Sequence, residues 1–328
     1  MKPLRHWKLG LAAVAITASA ASPSFGADSV KVMFDWIPGG WHAAWYAGKV
    51  NGCFGDRNLE VSLQRGSGGV DTVAKVASGL ADVGMADLGT VLIGAHKNKA
   101  GVKAIFPVYM DNPFGILSLK STKISSLKDL EGLKLAAGPG DSNIQMLPYA
   151  MQLAGADFKK VKAERADFSA LLGLLLREKV EAFTTFLTTA QILKAVSKSA
   201  GKEVAFYHYG RNLKIYGSVI FATDRFLKER PAVAKRLMAG MKCAYEAARA
   251  NPEAAADALL AAFPSKKRGA ELASIRGGII LTFEAETYKT HGFNWDMDRI
   301  ARTFQLALTA QGEKVEGAAG AAYIHKFE

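Results

Sequence analysis

From residue 30 onward the chain alternates short apolar runs with helix-length stretches. Residues 30–34 predict a strand, stopped by Pro38, Gly39 and Gly40. Residues 41–49 predict a helix, and 59–63, which alternate apolar and polar, predict a second strand. A glycine loop at 66–69 leads into a helix over 70–80, with Val70, Val73, Ala74, Ala77 and Leu80 at helical spacing. Residues 82–86 predict a short buried strand. This βαβα order argues for a mostly parallel sheet with helices on its faces.

The pattern then restarts. Residues 133–137 predict a strand ending in the loop 138–143, and a helix follows to about Leu153. Pro148 must either kink that helix or mark its start. Residues 171–178 predict a very apolar helix and 180–183 a strand. The stretches 74–84 and 171–183 share one layout of helix, polar turn, acidic residue and short strand, which points to two similar α/β lobes. Residues 217–222 predict a further strand. The remainder reads as mostly helical, with helices over 231–249 and 252–262 that each open on proline. The Gly- and Ala-rich tail, about 312–322, is expected to be loosely held.

The beginning of the chain has a different character. Lys2, Arg5 and Lys8 precede an apolar stretch to about Ala21, and small residues Ser24 and Gly26 follow. This is the layout of a secretory signal peptide, residues 1–26, cleaved after Gly26. The apolar stretch is shorter than the roughly 20 residues a membrane span needs. The expected product is exported to a periplasm, without a cysteine near its start to carry a lipid.

Composition narrows the class. A chain of 328 residues with 49% hydrophobic and 22% charged residues is an ordinary folded protein of about two domains, not a disordered, collagen-like or coiled-coil one. The formal charge of +12 falls to +9 once Lys2, Arg5 and Lys8 are removed. Lys and Arg are dispersed, with no basic stripe interleaved with aromatics, so no nucleic-acid partner is expected. The two cysteines, Cys53 and Cys243, exclude a disulfide-built scaffold and a four-cysteine zinc site. Export permits them to pair, but two buried free thiols are the expectation. His42, His96, His208, His291 and His325 are scattered without metal-ligand spacing. No nucleophile turn or carboxylate pair marks a catalytic site, and no cofactor or metal is expected.

The order and spacing of several short motifs carry a resemblance. These are Asp35-Trp36-x-Pro38, Gly52-x-Phe54, Leu59-x-Val61, Gly66-Ser67-Gly68-Gly69 and Gly79-x-Ala81-Asp82-Val83-Gly84. Leu127-Lys128-Asp129-Leu130, Lys134-Leu135-Ala136 and Gly138-x-Gly140-x-Ser142 come later. Together they resemble the periplasmic substrate-binding proteins of ABC importers, in the branch shared by sulfonate, nitrate and thiamine-pyrimidine binders. The opening motif is most similar to the thiamine-pyrimidine members. The biosynthetic relatives that build the pyrimidine use a cysteine-rich iron motif, which this chain lacks.

The resemblance implies the two-lobed type II periplasmic binding fold, each lobe a mostly parallel α/β sheet flanked by helices, with the ligand cleft between. Mapped here, lobe one is 27–114 plus 218–328 and lobe two is 115–217, with crossovers near Pro113 and Tyr216. It also implies a monomer that delivers a small molecule to an inner-membrane permease.

Ligands of such sheets sit at the carboxyl ends of strands. Around the first strand end lie Asp35, Trp36, Trp41, His42 and Tyr46, whose rings can stack on a flat heterocycle, while Trp45 reads as core. Ser67, Gly68 and Gly69 precede a helix and can offer backbone N–H groups. Asp141, Ser142 and Asn143 form the matching loop, as ligand contacts or, for Asp141 and Ser142, as helix caps. Asp87 ends another strand, Thr185 and Phe186 end its counterpart, and Tyr109, Asn112 and Tyr216 lie by the crossovers. The aromatic residues and Asp35 with Asp87 favour an aromatic nitrogen heterocycle such as an aminopyrimidine. The glycine loops keep a sulfonate, nitrate or aromatic carboxylate open. An exported enzyme on the same fold is the competing class.

Overall fold

The computed structural model describes residues 26–139 and 141–327, so the expected signal peptide, apart from Gly26, lies outside the described residues. The first half of the chain lays down β1 (Asp28–Met33), α1 (Ala43–Val50), β2 (Leu59–Gln64), α2 (Gly69–Ala77), β3 (Val83–Asp87), α3 (Leu88–His96) and β4 (Val102–Pro107). It then crosses to β5 (Phe114–Leu119), β6 (Lys134–Ala137), α4 (Ser142–Leu153), β7 (Lys162–Arg165), α5 (Phe168–Leu176), β8 (Ala182–Phe186), α6 (Leu187–Ser199) and β9 (Val204–Tyr207). It returns through β10 (Ser218–Thr223). The chain continues with α7 (Asp224–Glu229), α8 (Pro231–Ala250), α9 (Pro252–Ala262), α10 (Arg268–Phe283), α11 (Glu286–His291) and α12 (Met297–Thr309).

Two five-stranded sheets result, in the orders β2-β1-β3-β10-β4 and β7-β6-β8-β5-β9. In the first, β1 runs parallel to β2 and β3, while β10 is antiparallel to β3 and β4. In the second, β6 runs parallel to β7 and β8, while β5 is antiparallel to β8 and β9. Each sheet thus receives one reversed strand from the chain that crosses between them. The protein has the two-lobed α/β type II architecture. Strand β10 shows why both faces are covered. Ile220 and Ala222 join one apolar cluster, Val219 and Phe221 the other, and all four are buried.

Several expectations change. Trp41 and His42 lie in a 3-10 turn, Gly40–His42, ahead of α1. Helix α2 buries Thr72, Val73 and Val76, whereas Val70 and Leu80 are exposed. Pro148 neither starts nor ends α4, which begins at Ser142 and runs through it. The Gly/Ala tail is docked, not loose. Residues Gly317–Tyr323 form a 3-10 helix in which Gly317 and Gly320 lie so close to Ala301 and Phe304 of α12 that a Cβ would collide. Ile324 then bridges Ala104 beside β4, and the Tyr323 hydroxyl meets His96 Nδ1 at 2.8 Å. The tail covers a sheet edge that would otherwise present free backbone groups.

The cysteines also depart from expectation. Cys53 and Cys243 form a disulfide, with their Cα atoms 5.7 Å apart. Close packing of α8 on α1 and the turn after it makes this distance. Gly48 sits against Ala244, and Gly240 against Phe54 and the Cys53 carbonyl. Sequence separation hides such a meeting because it depends on how two helices pack.

Candidate ligand-binding cleft

In lobe one, the loop after β1 is tied to the loop before α2. The Gly68 N–H donates to the Asp35 carbonyl at 2.7 Å, and the Thr72 hydroxyl donates to the Phe34 carbonyl at 3.0 Å. Gly66 is required there because a Cβ would run into that same carbonyl, and Gly68 has φ +118°. Ser67 is exposed and its N–H reaches the Asp71 carboxylate, so the N–H groups of Ser67 and Gly68 are already engaged. Gly69 opens α2 without a side-chain cap.

The Asp35 side chain is 26% exposed, and one of its oxygens lies 3.0 Å from His42 Nε2. His42 itself is fully buried and stacks on Phe34 at 4.1 Å between centroids. The expectation that His42 meets ligand is therefore corrected: it orients Asp35. Trp36 is half exposed and Trp41 half buried. Trp45 is core, as expected, stacked on Phe54. Tyr46 keeps part of its surface open. Its half-buried ring packs on Phe263 and Phe34 at the margin of the lobe-one core, and burial pushes its hydroxyl up to about 12.

Asp87 ends β3 and caps α3, accepting from the Gly89 N–H at 2.9 Å. Its other oxygen accepts from Asn112 Nδ2 at 3.1 Å. Burial, with a smaller contribution from the nearby Asp35 charge, pushes the Asp87 carboxyl up to about 7. Asn112 is corrected to a positioning residue. Its amide also donates to the Tyr216 carbonyl, and its oxygen accepts from the Phe114 N–H. Tyr216 is buried in the core, edge-on to Trp295, and its hydroxyl accepts from the Asp296 N–H at 2.8 Å. It braces the crossover and has no exposed surface for a ligand. Tyr109 is buried with an unpartnered hydroxyl.

The Asp87 shift has a sign. Its folded-state pKa stands above its unfolded value, so its contribution to stability is complete below 3.8 and is lost as pH rises to about 7. Asp87→Asn is expected to remove that component, about 1–2 kcal/mol after allowance for solvent screening. Urea unfolding of ligand-free protein at about pH 4.5 and about pH 8 reads the difference. An unaltered pH profile in the variant would place the titration elsewhere.

Lobe two answers with the loop after β6 and the end of β8. Asp141 is buried and fully used: it caps α4 through the Asn143 N–H and accepts from the Thr184 hydroxyl at 2.5 Å. Of the two readings open for Asp141, the structure has the cap. Asn143, expected to donate to a ligand, instead donates to the carbonyls of Gly115 and Thr185 and accepts from the Tyr209 hydroxyl. Its role is to join β5, β8 and α4. Thr185 is buried, Ser142 is exposed, and Phe186 is half buried against Phe114. The Leu187 N–H donates to the Pro113 carbonyl. The ends of β3 and β8 therefore flank the same crossover.

Two residues that sequence reading missed stand at this loop. Phe168, 53% exposed, lies against Gly138, and Arg165 donates to the Gly138 carbonyl at 3.0 Å. Both follow from β7, whose residues are all exposed and carry no apolar alternation. Surface remains open at Asp35, Trp36, Trp41, Tyr46, Ser67 and Gly69 in lobe one, and in part at Asp87, both of whose oxygens already have partners. Ser142, Phe168 and Phe186 remain in lobe two.

Comparison with known proteins places this geometry. The fold is similar to the periplasmic aliphatic sulphonate-binding protein SsuA of Escherichia coli, with TM-score 0.71 at 14% identity, covering 91% of this chain and 92% of that one. It is also similar to the desulfurization enzyme DSZB, with TM-score 0.59 at 14% identity over 90% of this chain and 96% of that one. In sequence it is 22% identical over 246 residues to a formylaminopyrimidine-binding protein of Halalkalibacterium halodurans, covering 74% of this chain and 73% of the relative. Residues 40–255, more than half of the chain, match the NMT1/THI5-like family, and the chain belongs to that family.

Proposed function

We propose that this protein is the solute-binding component of an ABC importer and captures an aminopyrimidine-like nitrogen heterocycle between its lobes. The observation that carries the reading is the pair of carboxylates, Asp35 and Asp87, at the ends of the neighbouring strands β1 and β3. Burial chiefly, and the nearby Asp35 charge to a lesser degree, raise the Asp87 pKa. The partly exposed Asp35 carboxylate accepts a hydrogen bond from a ring-bound amino group and opposes an anionic solute, while both oxygens of the neighbouring Asp87 are already held by Gly89 and Asn112. Half-exposed Trp36 in lobe one and Phe168 in lobe two supply flat apolar faces for a ring. The relative named for formylaminopyrimidine binding supports the same ligand class. Capture proceeds by hinge closure of the two lobes, taken as 27–114 plus 218–328 and 115–217. The protein works as a periplasmic monomer that hands its solute to an inner-membrane permease.

The sulfonate reading has the fold of the sulphonate-binding neighbour behind it, but the carboxylate pair weighs against it. An enzyme on this fold would need a nucleophile or acid–base pair at the cleft. Both cysteines of the chain are joined in the disulfide, so no thiol serves.

A thermal-melt panel tests the proposal. It holds aminopyrimidines, aromatic carboxylates, alkyl sulfonates, taurine and nitrate. A ligand at about 1,000 times its Kd stabilises by roughly 4 kcal/mol. The aminopyrimidines alone are expected to raise the melting temperature. A shift confined to sulfonates, nitrate or carboxylates overturns the ligand class.

A further inference from the structure

Two consecutive glycines, Gly39 and Gly40, join the loop of Asp35 to the turn that carries Trp41. Such a pair loses more backbone freedom on folding than other residues do, so its placement has to be imposed from outside. Close approach requires both glycines. A Cβ on Gly39 would stand 2.8 Å from the Trp41 ring, and one on Gly40 would stand 2.3 Å from the Glu271 carbonyl of α10. The Trp41 ring therefore lies against the Gly39 backbone, and the Gly40 backbone lies against α10.

The side chain of Glu271 reaches the same turn. One of its carboxylate oxygens accepts from the Gly40 N–H at 2.6 Å, and the other lies 3.2 Å from Lys266 Nζ. Glu271 is only 7% exposed, so little water competes for a bond that a charged acceptor already strengthens. The Gly40 N–H belongs to the peptide between the two glycines, and the bond fixes the plane of that peptide. Helix α10 is itself fixed at its other end. The Leu281 carbonyl accepts from the Met110 and Asp111 N–H groups, and the Thr282 hydroxyl donates to the Val108 carbonyl at 2.8 Å. These residues lead into the first crossover, so Glu271 ties the turn to the frame that joins the lobes. Asp35 is fixed separately, by the Gly68 N–H on its carbonyl and by His42 on its carboxylate. The hold of Glu271 therefore falls on the turn and on Trp41.

We propose that Glu271 is a positioning residue for solute binding. It holds the Gly39–Gly40 peptide so that Trp41, one of the open surfaces of lobe one, is in place before the lobes close. The inference rests on the ligand reading above and adds to it a residue 231 positions from the turn it holds.

Hydrogen exchange on ligand-free protein reads the hold without any solute. Glu271→Ala is expected to speed exchange of the Gly40 amide by at least about tenfold, while the amides of β3 and β10 keep their protection. Unchanged exchange at Gly40 overturns the proposal. A general loss of protection, β3 and β10 included, gives Glu271 a role in overall stability and overturns it too. Glu271→Gln keeps an acceptor of the same reach and should stay within about threefold of wild type.

Calorimetric titration with 4-amino-2,5-dimethylpyrimidine, at a temperature where every variant is folded, reads the consequence. Glu271→Ala is expected to bind about tenfold more weakly. In a Trp41→Ala background the same change should cost less than about threefold, because a residue that acts through the ring has little to lose once the ring is gone. An equal loss in both backgrounds, or unchanged affinity in Glu271→Ala, overturns the proposal. Absence of binding to wild-type protein overturns the aminopyrimidine reading, while the exchange result still decides the hold of Glu271 on the turn.

Discussion

Replacing Cys53 and Cys243 together by serine is expected to destabilise the protein by about 5 kcal/mol, as chain entropy predicts for a loop of this length. The bridge closes a sequence separation of 190 residues, so it removes much of the unfolded chain's freedom. The native packing is expected to survive its loss. Gly48 and Gly240 already hold α1 and α8 at close range, and Phe54 and Ala244 fill the contact. The melting temperature should fall by about 8 °C, read by calorimetry on oxidised wild type and the double variant. A variant as stable as wild type would show that the unfolded chain is already constrained across this span, and the entropic account would fail.

Asp35→Asn is expected to weaken binding of an aminopyrimidine by about 100-fold, the scale of one charge-assisted hydrogen bond lost inside a closed cleft. Asp35 is suited to the task because His42 fixes one of its oxygens while the side chain keeps 26% of its surface open. Its main chain is clamped by Gly68, so the carboxylate enters closure already placed. Titration calorimetry on wild type and variant measures the effect. Unchanged affinity would remove Asp35 from the site. Tighter binding would mean that the solute carries negative charge, and the ligand class would be overturned.

Much of the architecture was legible because βα alternation leaves a mark in sequence. Strands β1, β2, β3, β6, β8 and β10 are apolar or alternating, and the proline starts of α8 and α9 are explicit. The edge strand β7 was illegible because all of its residues are solvated, and Arg165 and Phe168 at its far end were lost with it. The roles of single polar residues were hard to read. Asn143, Tyr216 and His42 have the chemistry of ligand contacts, yet their partners are Gly115, Asp296 and Asp35, brought near only by the finished fold. A side chain's capacity to hydrogen-bond is local, whereas the group that uses it is set by tertiary packing. The same holds for Cys53, whose partner arrives on a helix 190 residues later.

The reversed strand β10 imposes an order on assembly. Among the described strands, β4 pairs with β10 and with no other, so it stays unpaired until the chain has returned from lobe two. Lobe two has all five of its strands in one unbroken stretch, from Phe114 to Tyr207. A chain growing or refolding from its beginning can finish that lobe first. Lobe one must wait for a closure spanning more than a hundred residues between β4 and β10. In that interval β3 and β4 carry bare edges, the surfaces on which one chain captures another. Crowded, unfinished molecules of this protein are therefore most exposed to intermolecular strand exchange through lobe one, the part made of both ends of the chain.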